Sequence, residues 1–187
     1  MDTLLVLHAE HTFNASTFAA REVASTMAHL HACIASAVGA LGGALHGGAN
    51  ARVMDMLEEI GTIENVEPWV RRRIEAGKRV MRFGHAVYNV TDPRSQILWS
   101  VAERALEGRP EARWYTLALK VEEVAGRLLR ELRGHDLHPN VDFYSGAILR
   151  AIGLSNDEFP ALFAMSRVAG WCAHVIEEQL AEAQPKP

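Results

Sequence analysis

Apolar residues recur along this chain at spacings of three and four, and β-branched runs with strict alternation are missing. This pattern predicts an all-α protein. The predicted helices run approximately over residues 16–41, 49–60, 67–77, 92–106, 111–132, 141–151 and 155–183. Asp92 followed by Pro93 is a strong start signal, and Ser155 with Glu158 has the spacing of a capping box.

The first predicted helix is apolar nearly all round rather than along one stripe. A helix of that kind is buried on all sides, and its many alanines allow close approach of neighbouring helices. The last predicted helix is also rich in apolar residues between Phe159 and Ile176. Exposing both faces would leave an apolar patch larger than soluble monomers usually carry, so the pattern predicts a partner surface.

Composition is that of a folded soluble protein of one domain or two small lobes. The chain has 187 residues, of which 49% are hydrophobic, and a formal net charge of -4. This balance does not indicate nucleic acid or an anionic membrane as a partner. Cys33 and Cys172 lie in apolar stretches, which favours buried reduced thiols in a cytoplasmic protein. The N-terminus does not resemble a secretory signal, and the apolar run 32–45 is too short to span a bilayer.

Several of the nine histidines stand beside glycines, where loops and helix ends let side chains reach a ligand. His46 precedes a predicted helix, His85 lies in a predicted loop, and Asp142 lies in the first turn of a helix. Two histidines and a carboxylate suit proton abstraction next to a carbonyl group. Arg94 and Arg167 could each form forked hydrogen bonds to a carboxylate. Taken singly, each histidine could instead be structural.

A metal site is not predicted. Two histidine pairs are three residues apart, His8 with His11 and His135 with His138. Neither pair comes with cysteine ligands or with a His-Glu-x-x-His run. His29 and His31 are two residues apart on the first predicted helix, so they should not share a face, and we interpret them as structural or interfacial.

A basic stretch precedes the loop that contains His85. Its members are Arg71, Arg72, Arg73, Lys78, Arg79 and Arg82. The simpler interpretation is a solvated helix face, and the alternative is a surface that binds phosphate groups.

Six segments resemble motifs of citrate synthases, in that family's order and at similar spacing. They are HAEHTFNAS at 8–16, LHGGAN at 45–50, FGHAVY at 83–88, DPR at 92–94, PNVDFYSG at 139–146, and Ser166-Arg167 followed by Gly170-Trp171 and His174. The resemblance covers essentially the whole chain and corresponds to the C-terminal part of the family's sequences. The family's N-terminal half has no counterpart here.

The resemblance implies that acetyl-CoA condenses with oxaloacetate to give citrate and CoA, with no permanently bound cofactor. By this match Asp142 takes the methyl proton, His46 hydrogen-bonds the thioester oxygen, and His85 polarises the ketone of oxaloacetate. His11, Arg94 and Arg167 would hold oxaloacetate or citrate, and a dicarboxylate contacting both arginines would favour a closed form. The CoA contacts would come from Arg79, Phe83, Gly84 and Ala86.

The resemblance also implies an architecture. Residues 45–153 would form a small helical lobe, and residues 1–44 and 154–187 would belong to a larger helical domain. The partner would be a second copy of the chain, a separate subunit that supplies the N-terminal half, or both. Three alternatives stay open: a 2-methylcitrate synthase, a citryl-CoA lyase relative, and a non-catalytic binding or regulatory homologue.

Some positions depart from the family's pattern. Arg82 replaces a glycine that many members have, and Ala86 replaces an arginine common in bacterial members. His135 and His138 stand in a loop where members often carry lysines near CoA. The family's final arginine, which reaches the neighbouring subunit's substrate, has no counterpart. These departures bear on the affinity for CoA and on whether the chain is active by itself.

Overall fold

The computed structural model describes residues 1–43, 46–78, 80, 92–110, 112–134 and 141–181. In chain order these residues form α1 (Asp2–His8), α2 (Ala15–Ser25), α3 (Leu30–Leu41), α4 (Ala49–Ile60), α5 (Val66–Glu75), α6 (Pro93–Leu106), α7 (Ala112–Arg133), α8 (Val141–Ala151) and α9 (Phe159–Leu180), with short 3-10 helices at Ile63–Asn65 and Asn156–Glu158. The described residues contain no strand, and the predicted all-α class is confirmed.

The chain divides into two compact units. The first contains Met1–Gly48 together with the chain from Pro160 onward, and the second contains Ala49–Phe159. We describe each unit by itself.

The single long first helix predicted from the sequence is wrong, because the chain turns back between Ser25 and Leu30. Met27 adopts a left-handed backbone conformation with φ 61°, and His29 has the extended ψ of 140° that is typical of an N-cap. No glycine or proline marks this turn in the sequence. The apolar character of both halves is explained by their packing, since α2 and α3 form a helical hairpin.

The core of the first unit is built from small side chains of this hairpin and large ones of α9. Its buried members are Ala20, Ala24, Cys33, Ala37, Leu41, Trp171 and Val175. Burial on all sides is not observed within the described chain, where Phe18, Met27 and Val38 are exposed. Cys172 is only partly buried, which corrects the expectation that both thiols are in the core.

In the second unit α8 is the central helix and packs against α4, α6 and α7. Every residue of α8 is buried except Asp142 and Arg150, which are half-buried. Gly146 allows the close approach of α4, because a Cβ atom there would lie 2.8 Å from the backbone oxygen of Asn50. The first turns of α4 and α8 are therefore held side by side.

Two terminal helices differ from the sequence prediction. Helix α1 was not predicted, and the predicted end of the last helix, residue 183, lies outside the described residues. The segment Asn156–Leu180 is long and apolar enough to cross a membrane by length and composition. The core helix of a soluble protein meets the same criterion, and here Trp171 and Val175 belong to the core of the first unit.

Gly170 is a contact point where no larger residue fits, and we expect Gly170→Ala to lower the free energy of unfolding by about 1–3 kcal/mol. Its N–H donates to the Ala9 carbonyl oxygen at 3.2 Å, and an added Cβ would lie 2.3 Å from that same oxygen. Because the obstacle is backbone, α9 and the segment after α1 must separate. Urea denaturation followed by circular dichroism measures the loss.

Gly39→Ala is the matched control, since an added Cβ inside α3 meets nothing within 4 Å. It should raise stability by about 0.5–1 kcal/mol, because alanine loses less backbone freedom on folding than glycine. Equal stability changes in the two variants would contradict the contact argument.

Candidate active site

His46 follows the glycine stop of α3 and is fixed by a tight turn. Its own N–H donates to the Gly43 carbonyl oxygen at 2.9 Å, and the N–H of Gly47 donates to the Leu41 carbonyl oxygen at 2.8 Å. An added Cβ at Gly47 would lie 2.1 Å from that Leu41 oxygen. Glycine is therefore required immediately after His46, and the turn holds the histidine backbone in one position.

The His46 ring is oriented by the start of α2. Its Nε2 atom accepts a hydrogen bond from the backbone N–H of Ser16, at 3.2 Å. Ser16 lies in the first turn of α2, where backbone N–H groups have no partner inside the helix. The same Nε2 atom lies 2.9 Å from the Ser16 hydroxyl oxygen, so two groups of Ser16 hold the ring.

Besides His46, the Ser16 hydroxyl contacts two further groups in the same cluster. Trp171 Nε1 donates to Ser16 Oγ at 3.3 Å, and Ser16 Oγ donates to Asn14 Oδ1 at 2.7 Å. Asn14 is the N-cap of α2 and accepts from the Thr17 N–H. Because Ser16 and Trp171 are fully buried, this network holds the N-terminus of α2 against α9 in a single arrangement.

Arg167 and His11 lie on the same unit as His46. Arg167 is 3% exposed, donates from Nε to the His8 carbonyl oxygen at 2.6 Å, and stacks over the Phe163 ring. The His11 carbonyl oxygen accepts from Asn14 Nδ2 at 3.4 Å, so this bond ties His11 to the N-cap of α2. The backbone between them is strained, because Thr12 is a β-branched residue with φ 54°.

A carboxylate and an imidazole pair beside this segment. Glu10 Oε1 lies 2.9 Å from His174 Nε2. Burial alone would raise the pKa of Glu10, but the hydrogen bond from His174, the Thr12 backbone group and the charges of His174 and Arg167 outweigh it. The pKa of Glu10 is therefore lowered, which keeps a negative charge near the buried Arg167 guanidinium.

In the second unit, Asp142 occupies the first turn of α8. The positive end of a helix stabilises a carboxylate there. Asn50 Nδ2 donates to Ser145 Oγ at 2.9 Å, and Ser145 Oγ donates to the Asp142 carbonyl oxygen at 3.2 Å. These bonds tie the Asp142 backbone to α4, so the half-buried side chain projects from a fixed point.

Asp92 connects the start of α8 to Arg94. Its carboxylate is 1% exposed, caps α6, and accepts from Arg94 Nε at 3.0 Å and from Arg94 Nη2 at 2.7 Å. The Val141 N–H, at the start of α8, donates to Asp92 Oδ2 at 3.3 Å. Burial would raise the pKa of Asp92, but these hydrogen bonds and the Arg94 charge outweigh it and lower the pKa.

The sequence-based candidates are thus distributed over both units. The first contains His11, His46 and Arg167, and the second contains Arg94 and Asp142, which Asp92 links. His85 and the candidate CoA contacts Arg79, Phe83, Gly84 and Ala86 lie outside the described residues. Within the described part of the chain, no three His, Cys, Asp or Glu side chains are grouped as metal ligands.

Two contacts in the candidate site were missed by sequence reasoning. Ser16 was noted only as part of a motif, although its backbone N–H and its hydroxyl both contact Nε2 of His46. Asp92 was identified as a cap, but its contact with Val141, 49 positions away, was not. The DPR segment carried a usable signal, since an N-cap aspartate two residues before an arginine can bind both its backbone and its guanidinium.

Comparison with known proteins shows the family. The chain matches the family model described as "Citrate synthase, C-terminal domain" over residues 1–186. A citrate synthase of Synechocystis is 48% identical over 177 residues, which are 95% of this chain and 44% of that relative. The chain spans about half the length of the curated relatives it matches.

Solved structures give the same result. A Thermoplasma acidophilum citrate synthase, in a ternary complex with carboxymethyl coenzyme A and oxaloacetate, aligns with TM-score 0.86 and 36% identity over 98% of this chain and 49% of that one. A citryl-CoA lyase of Hydrogenobacter thermophilus aligns with TM-score 0.80 and 32% identity over 98% of this chain and 69% of that one. The family match, the relatives and the fold together show that the chain belongs to the citrate synthase family.

Proposed function

We propose that this chain carries the catalytic residues of a citrate synthase-type acyltransferase, which condenses acetyl-CoA with oxaloacetate and hydrolyses the thioester to citrate and CoA. Asp142 removes a proton from the acetyl methyl group, and the electron pair moves onto the thioester oxygen. His46 donates a hydrogen bond to that oxygen. The enol carbon then attacks the ketone of oxaloacetate, which His85 polarises, and water releases CoA from citryl-CoA.

The observation that carries the proposal is the hydrogen bond from the Ser16 backbone to His46 Nε2. In this proposal the ring is the neutral tautomer that accepts this bond and donates from Nδ1 to a developing enolate oxygen. A neutral donor matches the weakly acidic enol better than a charged imidazolium would, and it leaves the carboxylate of Asp142 as the base. The placement of Asp142 at the start of α8 supports the same division of roles.

Substrate contacts are assigned by chemistry. Arg94, Arg167 and His11 are proposed for the two carboxylates of oxaloacetate, because a guanidinium has five N–H donors and can bind an anion while it also contacts Asp92 or the His8 carbonyl oxygen. Arg79, Phe83, Gly84 and Ala86 are proposed for CoA. In this proposal residues 45–153 form the small lobe and residues 1–44 and 154–187 belong to the large domain.

We also propose that this chain does not work alone. The large apolar residues exposed in the first unit support this proposal, because Phe18, Met165 and Ile176 are 61%, 56% and 54% exposed. Either a second copy or a separate polypeptide corresponding to the family's N-terminal half covers them. The assembly is a soluble cytoplasmic protein that binds neither nucleic acid nor membrane.

A thiol-release assay tests the function. Acetyl-CoA and oxaloacetate are supplied to the chain alone and to the chain co-expressed with the N-terminal half of the Synechocystis relative. We expect free CoA to form only when both substrates are present and only with the combined polypeptides. Tryptophan fluorescence during oxaloacetate titration gives the binding readout. Binding without turnover in every assembly would replace this proposal with a non-catalytic role.

Two related reactions can be distinguished by the substrate that is supplied in the assay. The similarity to a citryl-CoA lyase favours cleavage of citryl-CoA as the second candidate. When citryl-CoA is supplied, a lyase forms acetyl-CoA, whereas a citrate synthase hydrolyses the thioester. Replacing acetyl-CoA by propionyl-CoA in the condensation assay distinguishes a 2-methylcitrate synthase.

A further inference from the structure

The two histidines at the start of α3 lie together, contrary to the expectation that they face apart. His29 is the N-cap with an extended backbone, and His31 is the second residue of the helix. Their Nδ1 atoms are 3.2 Å apart, while the ring centroids are 5.2 Å apart. Both Nδ1 atoms therefore lie on the inner sides of their rings and face each other.

This separation matches two ligands of one metal ion. Two imidazole nitrogens that share a tetrahedral zinc ion, each at about 2.0–2.1 Å, lie about 3.3 Å apart. The observed 3.2 Å falls within the tolerance of side-chain rotation. Neutral imidazole is a ligand that Zn²⁺, Cu²⁺ and Ni²⁺ all accept, whereas Mg²⁺ prefers oxygen.

The rings are not used by the fold. The His29 side chain makes no capping hydrogen bond to α3, although it stands at the N-cap. Both residues are exposed, so no packing holds the rings together and a cation can approach from solvent. In the absence of metal, a proton shared between the two Nδ1 atoms accounts for the contact, and a metal ion would replace it.

We propose that His29 and His31 form a bidentate surface site for a late first-row divalent cation, of which Zn²⁺ is the representative, with water in the remaining positions. The site has two protein ligands rather than four, and the positive end of α3 is close by, so its affinity is lower than that of a four-ligand structural zinc site. The site is independent of the proposed catalytic function.

Isothermal titration calorimetry of the full chain with ZnCl₂ tests the site. We expect a saturable Zn²⁺-binding event that His29→Gln and His31→Gln each weaken at least tenfold. The double variant should be no weaker than either single variant, because losing one ligand already breaks the chelate. MgCl₂ should give no binding heat. Circular dichroism should be the same for all variants, since both side chains are exposed.

The control is His135→Gln with His138→Gln, which removes another closely spaced histidine pair. It should leave the event unchanged. Absence of saturable Zn²⁺ binding to the wild-type chain, or retention of full affinity by His31→Gln, would overturn the proposal. Loss of Zn²⁺ binding in the variant with His135→Gln and His138→Gln would also overturn it.

Discussion

Replacing Asp142 with asparagine is expected to lower kcat of the citrate-forming assembly by about 10²–10⁴-fold, the usual contribution of a positioned general base. Asparagine keeps the size and the hydrogen-bonding backbone of the first turn of α8, but it cannot accept the methyl proton. The KM for acetyl-CoA should change little, because the lost interaction acts in the transition state. Steady-state thiol release gives both quantities.

Asp157→Asn is the matched control. Asp157 is an exposed carboxylate in the 3-10 helix Asn156–Glu158 of the same unit, so its loss should leave kcat unchanged. If Asp142→Asn retains wild-type kcat, another residue is the base. If the control loses activity as well, the assay is reporting on general charge or folding rather than on proton transfer.

Replacing Asp92 with alanine is expected to destabilise the chain by about 3–5 kcal/mol, the range found when one partner of a buried ion pair is removed. The change removes the cap of α6, the acceptor of the Val141 N–H, and the counter-charge of Arg94, which is 14% exposed. Urea denaturation followed by circular dichroism measures the loss. Glu123→Ala, which breaks the exposed pair with Lys120, should cost less than about 1 kcal/mol.

The stabilisation by Asp92 depends on pH, and its direction follows from the pKa of the carboxyl group. The pKa of Asp92 is lower in the folded chain than in the unfolded one, because Arg94 and two backbone N–H groups stabilise the carboxylate. Its stabilisation is therefore complete above the unfolded pKa of about 3.9 and is lost as the pH falls through the folded value. The stability gap between wild type and Asp92→Ala should narrow with acidification. A gap that widens in acid would contradict the assignment.

Local signals predicted most of the helices. The start of α6 at Asp92-Pro93, the limits of α4 and α8, and the capping box of Ser155 and Glu158 follow from short-range chemistry and agree with the structure. The turn between α2 and α3 was missed because no glycine or proline marks it. Tertiary packing of two apolar helices on α9 decides that turn, and the left-handed backbone of Met27 is tolerated as a result.

For the candidate site, too, local patterns predicted one part and missed another. Residue types and motifs led to His46 and Asp142, but the partners that orient them are distant in sequence. Ser16 and His46 are 30 positions apart, and Asp92 and Val141 are 49 apart. Such pairings depend on how helices pack, which periodicity does not specify. Only the folded arrangement reveals that the start of α2 contacts Nε2 of His46.

The Asp92 carboxylate has a consequence for motion. One side chain holds the Arg94 guanidinium and the first turns of both α6 and α8. These parts therefore move as a single body, and any rearrangement of the second unit carries the Arg94 guanidinium and the backbone of Asp142 along together. Their spacing stays nearly constant through such a movement, so flexibility in this unit lies outside the starts of α6 and α8.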